Sequence, residues 1–188
     1  MTPAQAKLVQ DSFRNVVPIA GEAAVMFYNR LFEIAPETRP LFKHDLAGQY
    51  DKFIQMLLWI VANLHQIETI RPAVEELGRR HAGYDIEPYY FHRVREALIW
   101  TLDSGLGAEF TPDVQTAWIA AYGVLAGTML NAGNREPGRE GFSQRLIEGA
   151  GTAVYGAINW RDGFGDIAEE LNAQRPRRKD SNSNFWWR

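Results

Sequence analysis

Histidine is the residue type in this chain with the clearest capacity to bind a metal, and it occurs at positions 44, 65, 81 and 92. Cysteine is absent, which excludes disulfides, thiolate metal sites and cysteine nucleophiles. No second histidine stands three or four residues after His81, where Tyr84 and Asp85 occur. Ligands on one helix face recur at that spacing, so the pattern argues against a multi-histidine zinc or di-iron site.

The context of His81 favours a site with a single protein ligand. His81 lies near the end of a predicted helix that Gly83 closes, and Leu77, one turn earlier, shares its face. A single imidazole on an apolar helix face is suited to a haem site, because the porphyrin supplies four further nitrogen ligands to the iron. A lone histidine in a helical protein is also commonly structural or solvated, and His81 alone does not separate these two readings.

Helices must position these residues, because apolar side chains recur at helical spacing through the first 132 residues without a convincing period-two strand. Thr2 and Pro3 predict the start of the first helix, a polar cap followed by proline, and Pro18 predicts its end. A short helical turn is expected between Pro36 and Pro40. The other predicted helices cover about 19–35, 46–64, 69–81, 88–102 and 112–130. The predicted fold class is all-α.

Composition limits the possible functions of the 188 residues. With 46% hydrophobic and 12% aromatic residues, the chain can bury a core. A net charge of −3 argues against a protein whose main task is binding nucleic acid or an anionic membrane. No signal peptide is apparent, and the longest apolar run, 56–64, is too short to cross a bilayer. We therefore expect a cytoplasmic protein without a membrane span.

The cluster 132–138, rich in glycine and polar residues, predicts a domain edge. We expect one domain over 1–133, a helical extension over 134–174 and a disordered basic and aromatic tail over 175–188. The extension has three possible roles: a helix pair packed on the domain, a homodimer contact, or the remainder of a signalling module. The tail is either solvated or in contact with a partner or a membrane interface.

Several motifs resemble, in order and spacing, the bacterial single-domain globins, which are related to the globin domain of flavohaemoglobins. The resemblance covers residues 3–132. The motifs that carry it are Phe-Tyr-x-x-Leu-Phe from Phe27, Asp-Leu-x-x-Gln-x-x-Lys-Phe from Asp45, Leu-Gly-Arg-Arg-His-x-x-Tyr from Leu77, Pro-x-x-Phe-x-x-Val from Pro88 and Trp-x-x-Ala-Tyr-Gly from Trp118. It implies the globin fold, a 3-on-3 helical sandwich, and haem b with its iron as cofactor.

The resemblance also implies roles by position. His81 is the expected proximal ligand of the iron, and Phe42 is expected to stack against the porphyrin. Tyr28 and Gln49 are expected to donate hydrogen bonds to a gas on the distal side, where Phe53 restricts the cavity. Lys52 is expected to reach a haem propionate, although a helix lysine is commonly solvated. The remaining expected cofactor contacts are Leu77, Tyr84, Ile86 and Val94.

Two positions depart from family members that carry out oxygenase or peroxidase-like chemistry. Those members resemble one another in a tyrosine and a glutamate that form hydrogen bonds around the proximal histidine. Here Phe91 stands at the tyrosine position, and the glutamate position falls near Gly133. Tyr89 or Tyr90 is a possible substitute, displaced by one or two residues. A less activated imidazole gives less electron density to iron, so the sequence favours binding over oxygen-bond cleavage.

The first functional hypothesis is reversible binding of O2 or another diatomic gas, NO or CO, for storage, delivery or scavenging. The alternative is a nitric oxide dioxygenase or related haem redox enzyme. It would need an external reductase, because the chain has no Gly-x-Gly-x-x-Gly phosphate loop. A further alternative is a gas sensor that signals through the extension. Tyr28, His44 and Gln49 are all candidates for the sixth coordination position of the resting iron.

Overall fold

Six α-helices form the computed structural model, which describes residues 1–42, 46–82 and 88–133, and no strand occurs among these residues. Short 3₁₀ turns connect several of the helices. The helices are α1 (Pro3–Val16), α2 (Ala20–Ile34), α3 (Leu46–Ala62), α4 (Ile67–Ala82), α5 (Pro88–Leu106) and α6 (Pro112–Gly133). The prediction of an all-α fold is confirmed.

Local sequence explains where the first helix begins. The Thr2 hydroxyl accepts a hydrogen bond from the backbone N–H of Gln5 (3.2 Å), and the Gln5 side chain accepts one from the backbone N–H of Thr2 (2.9 Å). This capping box satisfies two amides that the helix itself leaves without partners. Pro3 takes the first helical position, where its missing N–H costs nothing.

The sequence predicts that α5 ends near 102 and is closed by Gly105 and Gly107, and the helix proves longer. The helix continues past 102 to Leu106 and accommodates Gly105 within its last turn. It ends before Gly107, which has a φ of 54°, a left-handed conformation that glycine adopts without steric cost. Gly107 is therefore the residue that closes the helix.

Three helix pairs hold the fold together: α4 packs on α6, α2 on α5, and α1 on α6. The contact between α1 and α6 includes Trp118, which is 2% exposed and donates its indole N–H to the hydroxyl of Ser12 at 3.0 Å. The ring of Phe13 lies edge-on to this indole, with centroids 5.8 Å apart. A buried indole N–H needs an acceptor, and Ser12 supplies it.

The backbones of α4 and α6 touch at Gly78. A Cβ at this position would lie 2.3 Å from the carbonyl oxygen of Met129 and 2.5 Å from its Cα. A second close approach follows at Gly133, whose Cβ would lie 2.9 Å from the Cβ of Ala82. Small residues thus let α6 lie directly against the end of α4 that carries His81.

The predicted extension and tail, residues 134–188, lie outside the described residues. The division at residue 133 stays a prediction. None of the described helices is both long and apolar enough to cross a membrane.

Candidate functional site

A cavity of about 310 Å³ opens between α2, α3, α4, α5 and α6. Most of its lining is apolar, with a few polar side chains contributed by different helices. Its volume lies at the lower end of the range of about 300–1,000 Å³ typical of small-molecule and cofactor sites. This cavity is the candidate functional site.

His81 lies in the cavity wall, on the last turn of α4. Its Nδ1 is 2.8 Å from the backbone carbonyl oxygen of Leu77. A carbonyl can only accept, so Nδ1 carries the proton and Nε2 keeps its lone pair. Burial lowers the pKa of His81, while the hydrogen bond to Leu77 acts in the opposite direction. The imidazole is therefore neutral near pH 7, in the protonation state that binds a metal ion.

Tyr28, on α2, is 3% exposed and is surrounded by aromatic rings. Its ring centroid lies between 5.0 and 5.9 Å from those of five neighbours, Phe27, Phe32, Phe42, Tyr50 and Phe53. Edge-to-face and tilted contacts at such distances are favourable, and together they leave the ring little freedom to rotate away. These contacts therefore hold the Tyr28 ring in one position in the cavity wall.

Helix α3 contributes a row of side chains to the same cavity. Gln49 and Phe53 are four residues apart and share a helix face, and Lys52 stands beside them. Phe53 stacks on Phe27 with centroids 4.2 Å apart and planes 9° apart. Gln49 and Lys52 are both half-buried. A polar amide and an ammonium group therefore reach the wall of an otherwise apolar space.

The structure brings the described candidate residues of the sequence to this one cavity. They are Tyr28, Phe42, Gln49, Lys52, Phe53, Leu77, His81 and Val94. Two further candidates, Tyr84 and Ile86, lie outside the described residues, as does His44. The grouping is a geometric finding, and the individual roles of these residues stay predictions.

One contact near His81 was not predicted. The hydroxyl of Tyr122, on α6, donates to the backbone carbonyl of Phe91, on α5, at 2.6 Å. The Phe91 ring in turn lies 6.2 Å from the His81 ring. Tyr122 belongs to a motif that the sequence singles out, but its acceptor is a backbone group 31 residues away, and only the assembled fold identifies it.

The two tyrosines that precede Phe91 take different positions. Tyr89 is 44% exposed, and its hydroxyl accepts from Arg93 at 2.8 Å, so it faces solvent. Tyr90 lines the cavity. Of the two substitutes that the sequence offers for an activating tyrosine, only Tyr90 borders the cavity that contains His81.

The residues present fit a haem. The cavity is mostly apolar, its wall holds a half-buried neutral imidazole whose Nδ1 is already hydrogen-bonded, and Lys52 adds a cation. A single imidazole suffices for a metal that arrives with its own macrocyclic ligands. Within the described ranges, no group of three or more histidine, aspartate or glutamate residues is placed to hold a bare metal ion.

Comparison with known proteins agrees with this geometry. The globin family model matches residues 25–129. The flavohemoprotein of Bacillus subtilis (strain 168) is 31% identical over 103 residues, which are 53% of this chain and 26% of that protein. The chain thus spans about a quarter of the length of this relative. All residues that line the cavity, from Phe27 to Met129, fall within the matched segment. Since that segment is more than half of the 188 residues, the chain belongs to the globin family.

Proposed function

We propose that this protein reversibly binds O2 or another diatomic gas at a haem whose iron is held by His81, and that it serves oxygen storage or scavenging. Membership of the globin family implies a haem-binding, gas-binding protein. The observation that carries the more specific proposal is that the neutral His81 imidazole and the hydrogen-bonding side chains of Tyr28 and Gln49 border one cavity. When bound, haem supplies an iron centre with an open position for O2, NO or CO.

On the proximal side, the Leu77 carbonyl sets the tautomer of His81 and helps to fix the orientation of its ring. The carbonyl is neutral. Among the described residues, no carboxylate acts on the pKa of His81; only burial and this hydrogen bond do so. A charged acceptor at Nδ1 would make the imidazole more basic and favour oxygen-bond cleavage. The neutral acceptor therefore supports gas binding rather than peroxide chemistry.

On the distal side, Tyr28 and Gln49 each carry a group that donates hydrogen bonds to a diatomic gas in the cavity. Such bonds are stronger in an apolar environment from which water is excluded, and Tyr28 is only 3% exposed among its aromatic neighbours. A net gain of about 1–1.5 kcal/mol for each hydrogen bond corresponds to roughly ten-fold in affinity.

The cofactor form that we propose is haem b. Covalent attachment of a c-type haem requires the Cys-x-x-Cys-His motif, and this chain contains no cysteine. When bound, haem b would be held by His81, by apolar contacts that include Phe42, Leu77 and Val94, and by an ion pair of Lys52 with a propionate.

The first test is the absorption spectrum of purified protein, which shows a Soret band if haem is bound. We expect His81→Ala to lose most of the haem or to shift its spectrum to that of a site without the imidazole ligand. The matched control is His65→Ala, because His65 is exposed and lies outside the cavity. A His81→Ala protein with unchanged haem content and spectrum would refute the proximal assignment.

The second test is the O2 dissociation rate. Tyr28→Phe and Gln49→Leu are each expected to raise it about ten-fold. Tyr50→Phe is the matched control for the tyrosine, because Tyr50 contacts the Tyr28 ring without lining the cavity. Equal rates for Tyr28→Phe and Tyr50→Phe would contradict a hydrogen bond from Tyr28. Steady NO consumption in the presence of an electron donor would instead support the enzymatic alternative.

A further inference from the structure

A second concave surface lies between α5 and α6 on the outside of the molecule. We call it the α5–α6 groove. Its volume is about 570 Å³, and its lining includes Ile99, Trp100 and Asp103 of α5, Phe110, and Gln115 and Ile119 of α6. None of these residues lines the cavity that contains His81. The proposed gas site therefore does not account for the groove.

Apolar side chains are exposed in the α5–α6 groove. Six large hydrophobic side chains of the described residues are exposed, and two of them, Trp100 and Ile119, each 41% exposed, lie here. The guanidinium of Arg30 lies 5.4 Å from the centroid of the Trp100 indole and holds one side of this ring. The other apolar groups of the groove are left for a further segment to cover.

Helix α6 lacks the charged outer face of a helix that lies on the surface. Between residues 114 and 133 it contains no aspartate, glutamate, lysine, arginine or histidine. Apolar and small residues occupy all its sides, a pattern typical of a helix that is covered on all sides. Helices α1 and α4 cover its inner side, whereas Ile119 on its outer side is exposed. The outer side of α6 therefore has the composition of a contact surface.

The chain itself supplies a segment that suits this surface. Residues 134–141 directly follow α6 and contain two glycines and one proline, and eight residues are enough to join two antiparallel helices. The next 17 residues, 142–158, would form a helix about 26 Å long, compared with about 33 Å for α6. They have one apolar stripe at helical spacing, which consists of Leu146, Ile147, Ala150, Val154 and Ile158.

An antiparallel return after α6 sets the register between this segment and the groove. If residue 142 stands level with Gly133, Ile119 stands level with about residue 156. Val154 and Ile158 of the apolar stripe then lie on either side of that level. Two large apolar side chains of the segment thus face the exposed apolar side chain of α6.

The same register matches an anion of the groove with a cation of the segment. Asp103 forms no ion pair within residues 1–42, 46–82 and 88–133. Gln115, which lines the groove together with Asp103, stands level with about residue 160. Arg161 follows Ile158 by three residues and therefore shares its helix face. The segment accordingly brings a guanidinium to the level of the Asp103 carboxylate.

We propose that the α5–α6 groove is the docking site for residues 142–161 of the same chain, packed antiparallel to α6. Val154 and Ile158 cover Ile119 and Trp100, and Arg161 pairs with Asp103. The extension is then a part of the folded domain that shields the outer side of α6 from solvent. The proposal is independent of gas binding, since the groove contains none of the cavity residues.

Disulfide cross-linking of the full chain tests this proposal directly, because the chain contains no cysteine of its own. Ile119→Cys is combined with Val154→Cys and, in a second protein, with Ile158→Cys. Under mild oxidation, non-reducing electrophoresis and mass spectrometry follow the disulfide within one chain. Its formation requires Cα atoms within about 7 Å. We expect at least one of the two pairs to close at least about ten-fold faster than the control pairs.

Two control pairs match these proteins. In the first, Val25→Cys replaces Ile119→Cys, because Val25 is 39% exposed and lies on α2 outside the groove. In the second, Gly156→Cys is combined with Ile119→Cys, because residue 156 stands at the same level but on the side of the segment opposite to the apolar stripe. Circular dichroism of each variant verifies that the helical fold is kept.

Charge reversal tests the ion pair in whichever cysteine pair closes faster. Asp103→Arg and Arg161→Asp each place two like charges opposite each other and are each expected to slow the closure about two- to five-fold. The protein with both reversals again places opposite charges together and is expected to recover the original rate. Single reversals that leave the rate unchanged would contradict the pairing of Arg161 with Asp103.

Three results would overturn the docking proposal. Closure of both test pairs no faster than that of the Val25 control would show that the segment does not lie in the groove. Equal rates for cysteines at 154, 156 and 158 would show that no fixed face of the segment meets Ile119. A disulfide between two chains, in place of one within a chain, would show that a second copy covers the groove.

Discussion

The close contact of α4 and α6 at Gly78 leads to a quantitative prediction about the free energy of unfolding. Alanine at this position would place its Cβ at 2.3, 2.5 and 2.8 Å from the carbonyl oxygen, Cα and carbonyl carbon of Met129. All three are backbone atoms, so no side-chain rotation relieves the overlap and the helices must separate. Overpacking costs about 1–3 kcal/mol, whereas replacing glycine by alanine in a helix returns up to about 1 kcal/mol.

We therefore expect Gly78→Ala to lower the free energy of unfolding by about 1–2 kcal/mol. Gly123→Ala is the matched control, because this residue lies in α6 and a Cβ there would meet nothing within 4 Å. The control is expected to raise stability by about 0.5–1 kcal/mol. Urea unfolding of the haem-loaded proteins, followed by circular dichroism, measures both changes.

The two variants should thus move in opposite directions from the unmodified protein. Because Gly78 lies three residues before His81, the haem spectrum of Gly78→Ala should also shift, while that of Gly123→Ala should not. Equal stability of the two variants would refute the conclusion that the backbones of α4 and α6 are in contact. A destabilised Gly78→Ala protein with an unchanged spectrum would show that the displacement does not reach His81.

Three further predictions concern single hydrogen bonds. Burial raises the pKa of Tyr122 above its usual value of 10, so the unfolded chain releases this proton first and the stability that Tyr122 contributes is lost as the pH rises above about 10. Tyr122→Phe should cost about 0.5–1.5 kcal/mol at neutral pH, and its deficit relative to the unmodified protein should shrink above pH 10 in guanidinium unfolding; a constant deficit would contradict the raised pKa. Ser12→Ala leaves the buried Trp118 indole N–H without its acceptor and should lower the free energy of unfolding by about 1–3 kcal/mol, with a change in tryptophan fluorescence as a second readout. Thr2→Ala removes the N-cap of α1 and should cost about 1 kcal/mol, a loss that Thr2→Ser should largely avoid.

Structural features with a local cause could be predicted from the sequence. The cap at Thr2, the proline starts of α1, α5 and α6, and the all-α class depend on residues within a few positions of one another. The eight described candidate residues also gather at one cavity, although that selection rested on family resemblance. The spacing of the motifs along the chain indicates which residues face inward, even where the packing of the helices against one another is not known.

Features that depend on how two helices meet were not accessible from the sequence. The hydrogen bond of Tyr122 to the Phe91 carbonyl joins a side chain to a backbone group whose identity no sequence pattern records. The same holds for the contact of Gly78 with Met129, since glycine also occurs in helices without any close neighbour, as at Gly123 and Gly127.

The close approach at Gly133 limits which side chains the crossing of α4 and α6 can accept at this position. By the family resemblance, an activating glutamate falls near this position, yet even the Cβ of a larger residue would lie 2.9 Å from Ala82 and 3.4 Å from the carbonyl oxygen of Gly78. A carboxylate introduced here alone would push α4 away from α6 before it could act on His81. A glutamate at Gly133 would therefore need a wider crossing of α4 and α6, which this one substitution does not supply.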